Sequence, residues 1–119
     1  MNISVRVHDV KWTAALQAKI ERSISFALDR FDGHVRGVDI YVADLNGPKG
    51  GVDKLCQLTA ILRRSEPVVI VEKGDRVVPM VNRAVRRLAY RVGRKVQRLR
   101  PATRRDRASV RTAVFPGAA

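Results

Sequence analysis

The sequence predicts an α+β fold: a two-layer β-α-β-β-β-α sandwich, with a four-stranded mixed sheet carrying two helices packed on one face. Three observations predict it. Apolar residues alternate or cluster in four short runs, they recur at helical spacing in two longer ones, and the runs follow in that order. Two amphipathic helices and a sheet bury their apolar sides most economically as two stacked layers.

Ile3, Val5 and Val7 alternate with Ser4, Arg6 and His8, which makes the first run a half-buried strand. Thr13 is a fitting N-cap, because its hydroxyl can accept from an orphan backbone N–H. Leu16, Ile20, Ile24, Ala27, Leu28 and Phe31 then repeat at helical spacing, with Lys19, Glu21, Arg22 and Arg30 mostly outside. Asp32-Gly33 is expected to end that helix, Gly33 supplying a left-handed residue. Trp12 precedes the cap, so its expected role is packing where the helix begins.

Val38, Ile40 and Val42 form a second strand, with Asp39 and Tyr41 on its other side. Residues 46–51, Asn-Gly-Pro-Lys-Gly-Gly, read as a long, mobile hairpin loop. They lack the Gly-Lys-Ser/Thr ending and the strand-to-helix context of a phosphate loop. In the third strand, Leu55 to Leu62, Cys56, Leu58, Ala60 and Leu62 share one side while Gln57, Thr59 and Ile61 share the other. Glu66-Pro67 turns the chain into a fourth, Val68 to Val71. The last three strands can pair through hairpins, whereas the first must join by a crossover. The sheet's uncovered face would then present Ser4, Arg6, Asp39, Tyr41, Gln57 and Thr59.

Residues 75–100 are the stretch on which function turns. At about 100° per residue, Val77, Val81, Ala84, Val85, Leu88, Val92, Val96 and Leu99 share one apolar stripe. Arg76, Arg83, Arg87, Arg91, Arg94 and Arg98 gather in a narrow band on the opposite side. Arg86 lies off that band, and Lys95 borders the stripe, where its stem can lie flat. Pro79 lacks a backbone donor, so the regular helix should start within a turn of it, after an irregular Val77-Val78. Beyond Arg100-Pro101 the pattern stops. This divides the chain into a domain over 1–100 and a disordered basic tail over 101–119.

The formal charge is +13, and its placement matters more than its size. Residues 1–74 hold 11 Lys and Arg against 9 Asp and Glu, while residues 75–119 hold 13 against 2. Nearly all the excess therefore sits in the last helix and tail, which points to a polyanion. An interfacial membrane helix would offer its apolar side to lipid, but here the sheet needs that side. Guanidinium forks on one face, with no acid interleaved along the helix, suit RNA phosphates. The RNA-binding residues expected are Arg76, Arg83, Arg86, Arg87, Arg91, Arg94, Lys95 and Arg98.

The remaining polar residues read more plainly. Tyr90, beside the band, is an exposed tyrosine, with stacking on a base as its other use. Arg6, Lys54, Arg63, Arg64 and Lys73 read as solvated, with extension of the cationic surface as their other use. Arg104, Arg105, Arg107 and Arg111 belong to a tail that is either inert or a flexible extension along a bound RNA. Cys56 is a core residue, and His8 and His34 lack metal-ligand spacing. No nucleophile–base pair, carboxylate pair or metal cluster is apparent, so neither an enzyme nor a cofactor is expected. No apolar run reaches a membrane span, and the first residues alternate like a strand instead of a signal peptide. A cytoplasmic address is expected.

With this order in hand, the chain resembles the hibernation-promoting factor / ribosome-associated inhibitor family, also labelled sigma-54 modulation proteins. The likeness spans about residues 2–98. Its carriers are Asn2-Ile3-Ser4-Val5, Thr13-Ala14-Ala15-Leu16 at the family's Thr-x-x-Leu helix start, Phe31-Asp32, and Val38-Asp39-Ile40-Tyr41-Val42. In the final helix Arg87-Leu88 and Arg91-Val92 stand where the family has Lys-Leu and Gln-Leu, followed by Arg94-Lys95 in its basic run. Val77 or Val78 replaces the family's aromatic near the helix start. The resemblance implies a short family form that binds small-subunit rRNA in the mRNA and tRNA channel and silences translation in stress or stationary phase. No small-molecule substrate and a monomer when free are expected. A general binder of double-stranded RNA or DNA with the same fold is the alternative.

Overall fold

In a computed structural model of the chain, which describes residues 1–45 and 53–108 with side chains through Leu99, the apolar runs become one sheet under two helices. Strands β1 (Asn2–His8), β2 (Val35–Asp44), β3 (Lys54–Leu62) and β4 (Val68–Gly74) stand side by side in that order. β1 runs parallel to β2, and the other two pairs are antiparallel, so the sheet is mixed. Helices α1 (Ala14–Leu28) and α2 (Val77–Ala108) share one core with the sheet.

That core is aliphatic. Ile24 and Leu28 of α1, Ile40, Leu58 and Ile70 of the sheet, and Met80 and Leu88 of α2 are fully buried. Each such side chain contributes about 1.5–3 kcal/mol by leaving water. Period-two alternation puts Val38, Ile40 and Val42 under the helices and turns Asp39 and Tyr41 outward. The outward rows run Ser4, Asp39, Thr59, Val69 and then Arg6, Tyr41, Gln57, Val71 across the four strands. Ser4 donates to the Asp39 carboxylate, and the Arg6 guanidinium lies 5.3 Å from the Tyr41 ring centre. The uncovered face is the one the alternation predicts.

Thr13 caps α1 as expected, its hydroxyl accepting from Leu16 N at 3.0 Å. Trp12 is partly buried there and donates from Nε1 to Gln17 at 3.1 Å; Gln17 in turn donates to Glu21 at 3.0 Å. The end of α1 differs from expectation. The regular helix stops at Leu28, and Asp29–Phe31 adds one tighter turn that seats Phe31 in the core. Gly33 has no left-handed backbone; among the described residues Asp9 does, at φ 56° in the turn after β1.

α2 also departs from the sequence pattern at both ends. Val77 and Val78 are helical and not an irregular start, with Met80 N donating to Arg76 O at 3.3 Å. Pro79 therefore falls in the first turn, where its missing donor costs nothing. At the far end the backbone stays helical through Pro101 to Ala108, past the last apolar repeat. The rest of the expected tail, 109–119, and the expected hairpin loop at 46–51 lie outside the described residues.

Two glycines are set by close approach. A Cβ on Gly37 would stand 2.8 Å from the backbone oxygen of Asn2, its partner on β1, beside the register shift between Val35 and Gly37 in the β2–β3 pairing. One on Gly93 would meet the Phe31 ring at 3.1 Å, so glycine lets that aromatic lie against α2. Cys56 is buried, and burial, followed by the Glu72 charge, pushes its thiol up to about 12. It is an inert core residue.

Gly37→Ala is expected to destabilise the fold by roughly 1–3 kcal/mol, because the added methyl meets backbone that cannot step aside. Gly33→Ala, with nothing within 4 Å, should stay within about 0.5 kcal/mol of the parent in urea unfolding.

Candidate nucleic-acid interface

The apolar stripe of α2 fixes its rotation over β3, β4 and α1. Once Val81, Ala84, Val85, Leu88, Val92 and Val96 face the core, the arginine band falls on the flank beside β4. This corrects the simpler picture of arginines directly opposite the core. β4 is an edge strand, and its outer carbonyls have no neighbouring strand to pair with.

Arg83 and Arg87 occupy that edge. Arg83 donates from Nε to Glu72 at 3.2 Å and from Nη2 to Lys73 O at 3.0 Å. Arg87 donates from Nη1 to Val71 O at 3.0 Å and also to the Glu72 carboxylate. Gly74 makes room: a Cβ there would sit 3.0 Å from Arg83 Nη2 and 3.3 Å from Met80 Cβ. The Arg87 hydrogen bond, helped by that of Arg83 and opposed by burial, holds the Glu72 carboxyl below its ordinary value. Sequence reading along α2 alone missed this acid. The signal was available, since Glu72 continues the Val68, Ile70 alternation and so must face the helix.

The other predicted residues are differently placed. Arg76, Arg86, Arg91, Arg94 and Arg98 are exposed, and among the described residues no carboxylate pairs with them. Lys95 is half-buried at the border of the stripe, as its position implies. Arg91, Arg94, Lys95 and Arg98 line one cleft of about 320 Å³ with Tyr90 as its aromatic wall. Arg94 donates to Tyr90 Oη at 3.3 Å, and its guanidinium carbon is 5.8 Å from the ring centre. A phosphate entering the cleft would meet four cationic side chains, of which Arg94 is held by Tyr90.

Cations elsewhere do not extend this surface alike. Lys54 is tied between Asp44 at 3.6 Å and Asp53 at 3.7 Å, while Arg6 lies on the opposite, uncovered face of the sheet. Among the described residues no three His, Cys, Asp or Glu side chains gather as a metal site. No described helix is long and apolar enough to cross a membrane.

These features define a small two-layer α+β domain with a cationic helix flank. No family model and no curated protein sequence matches the chain. Solved structures do share its fold. The Protein Y N-terminal domain of Thermus thermophilus superposes with a TM-score of 0.64 at 20% identity, covering 79% of this chain and 98% of that one. A ribosomal subunit interface protein from Coxiella burnetii gives 0.65 at 14% identity, covering 82% and 99%.

Glu72→Gln tests the electrostatics of the flank. Freed of one carboxylate, the variant should bind a short RNA duplex several-fold more tightly, with a steeper loss of affinity on adding salt. It should also be less stable than the parent at neutral pH. Because the folded-state pKa of Glu72 is depressed, its stabilisation is complete above the unfolded-state value and lost as pH falls through the folded one. Melting curves of the two proteins should therefore converge in acid.

Proposed function

We propose that this chain is a non-enzymatic, ribosome-associated translation inhibitor that lays the α2 flank against small-subunit rRNA in the path used by mRNA and tRNA. The observation that carries this reading is the run of exposed, carboxylate-free arginines along a helix whose other side is locked to a sheet. Its fold is shared with a protein called a ribosomal subunit interface protein, which supports the same assignment. In this reading the protein is cytoplasmic, monomeric when free, and made when stress or stationary phase calls for idle ribosomes.

The mechanism is occupancy. Phosphate contacts from Arg86, Arg91, Arg94 and Arg98 fix position and register but read no sequence. Selectivity for one channel comes from the shape of a rigid wedge fitted to folded RNA. Arg83 and Arg87 have a second duty at the β4 edge, so they serve as anchors of the flank as well as cations. With about four to six phosphates neutralised, binding falls steeply as salt rises.

Gradient sedimentation with small subunits tests the proposal. At about 100 mM salt the protein should travel with the subunit, and Arg91→Glu with Arg98→Glu should leave it at the top without changing its melting temperature. These two positions avoid the clash with Glu72 that Arg87→Glu would introduce. A parent protein that stays at the top while shifting any duplex equally is instead a general nucleic-acid binder.

A further inference from the structure

The outer surface holds two large aromatics, of which Phe26 is explained by neither the core nor the arginine cleft and Tyr90 reaches beyond that cleft. Phe26 of α1 is 88% exposed and Tyr90 of α2 is 64% exposed. Single exposed apolar side chains are common and need no account. These two, however, line the same groove between the helices, with a volume of about 760 Å³, a size usual for small-ligand sites.

The groove exists because its floor is made of small residues. Ala27 and Ala89, with Val85, leave open the space that longer side chains at these positions would fill. Its rim carries Arg30 and Arg86, one carboxylate at Asp29, and the polar side chains of Ser23 and Asn82. Asn82 offers both a donor and an acceptor, the complement of a base edge. Tyr90 also walls the cationic cleft of Arg91, Arg94, Lys95 and Arg98, so the two spaces adjoin along one ring.

We infer that the α1–α2 groove receives a single unstacked nucleotide of bound RNA, its base against Phe26 and Tyr90 and its phosphate toward Arg94 in the neighbouring cleft. This rests on the RNA-binding reading above and adds to it. Phosphate contacts cannot tell a paired from an unpaired nucleotide, whereas an aromatic groove takes only a base released from its stack. Charge favours this occupant over an apolar peptide, since two arginines and a continuous cationic cleft border the site.

The test compares two RNAs by fluorescence anisotropy with the full chain: a perfect duplex, and the same duplex carrying one unpaired 2-aminopurine nucleotide. The parent should prefer the second RNA roughly fivefold or more and quench its 2-aminopurine on binding. Phe26→Ala, at an exposed position outside the cationic cleft, should cut the preference and the quenching while leaving duplex affinity within about twofold, and Tyr90→Ala should cut the preference as well. Equal affinity for the two RNAs, with duplex binding intact, overturns the groove assignment and leaves the cationic flank standing; a groove built for a peptide side chain would give that result. A preference that survives both substitutions also overturns it. Binding to neither RNA contradicts the RNA reading itself.

Discussion

Burial of the α2 stripe on the sheet is the constraint from which the rest follows. A helix of this length with a polar remainder has little reason to hold one orientation alone. Seated through Val81, Ala84, Val85, Leu88, Val92 and Val96, it cannot roll, and the arginine band keeps to one side of it. The resulting flank abuts an edge strand, which proteins commonly protect against pairing with another chain. Here arginine side chains donate to two of the carbonyls of that strand.

This arrangement also settles how so many like charges coexist on one helix. Arg83 and Arg87 share the Glu72 carboxylate, so that trio carries a single positive charge. The remaining arginines point away from the sheet, where water screens their repulsion over roughly a Debye length, about 8–10 Å in physiological salt. The division gives the flank an anchored end near β4 and a responsive stretch from Arg91 to Arg98. Anchoring reduces the ordering that a polyanion would otherwise impose on long side chains.

Element order, strand parity and the sheet's uncovered face were legible because each depends on periodicity alone. Ser4, Asp39, Tyr41 and Thr59 face outward for the same reason that Ile40 and Leu58 face in. What sequence could not supply came from contacts between distant segments. Glu72 sits 11 residues before Arg83 and meets it only because β4 turns back under α2. Gly33 looked like a left-handed cap, yet the chain leaves α1 through a tighter turn that buries Phe31. The backbone of α2 continues past its last apolar repeat, because such repeats mark where a helix is packed, not where its backbone stops. The groove beside Phe26 needed the pairing of two helices to be visible at all.

The fold is shared with the solved structures at 20% and 14% identity. Since the Cys56 thiol is buried and held at about 12, a cysteine added at the surface would be the reactive one. An iron chelate tethered through Gln97→Cys on α2, or through Val69→Cys on the uncovered sheet face, can report which side meets rRNA in the complex. RNA contact through the arginine flank predicts strong cleavage from the α2 position and weak cleavage from the sheet. Cleavage confined to the sheet position would contradict it.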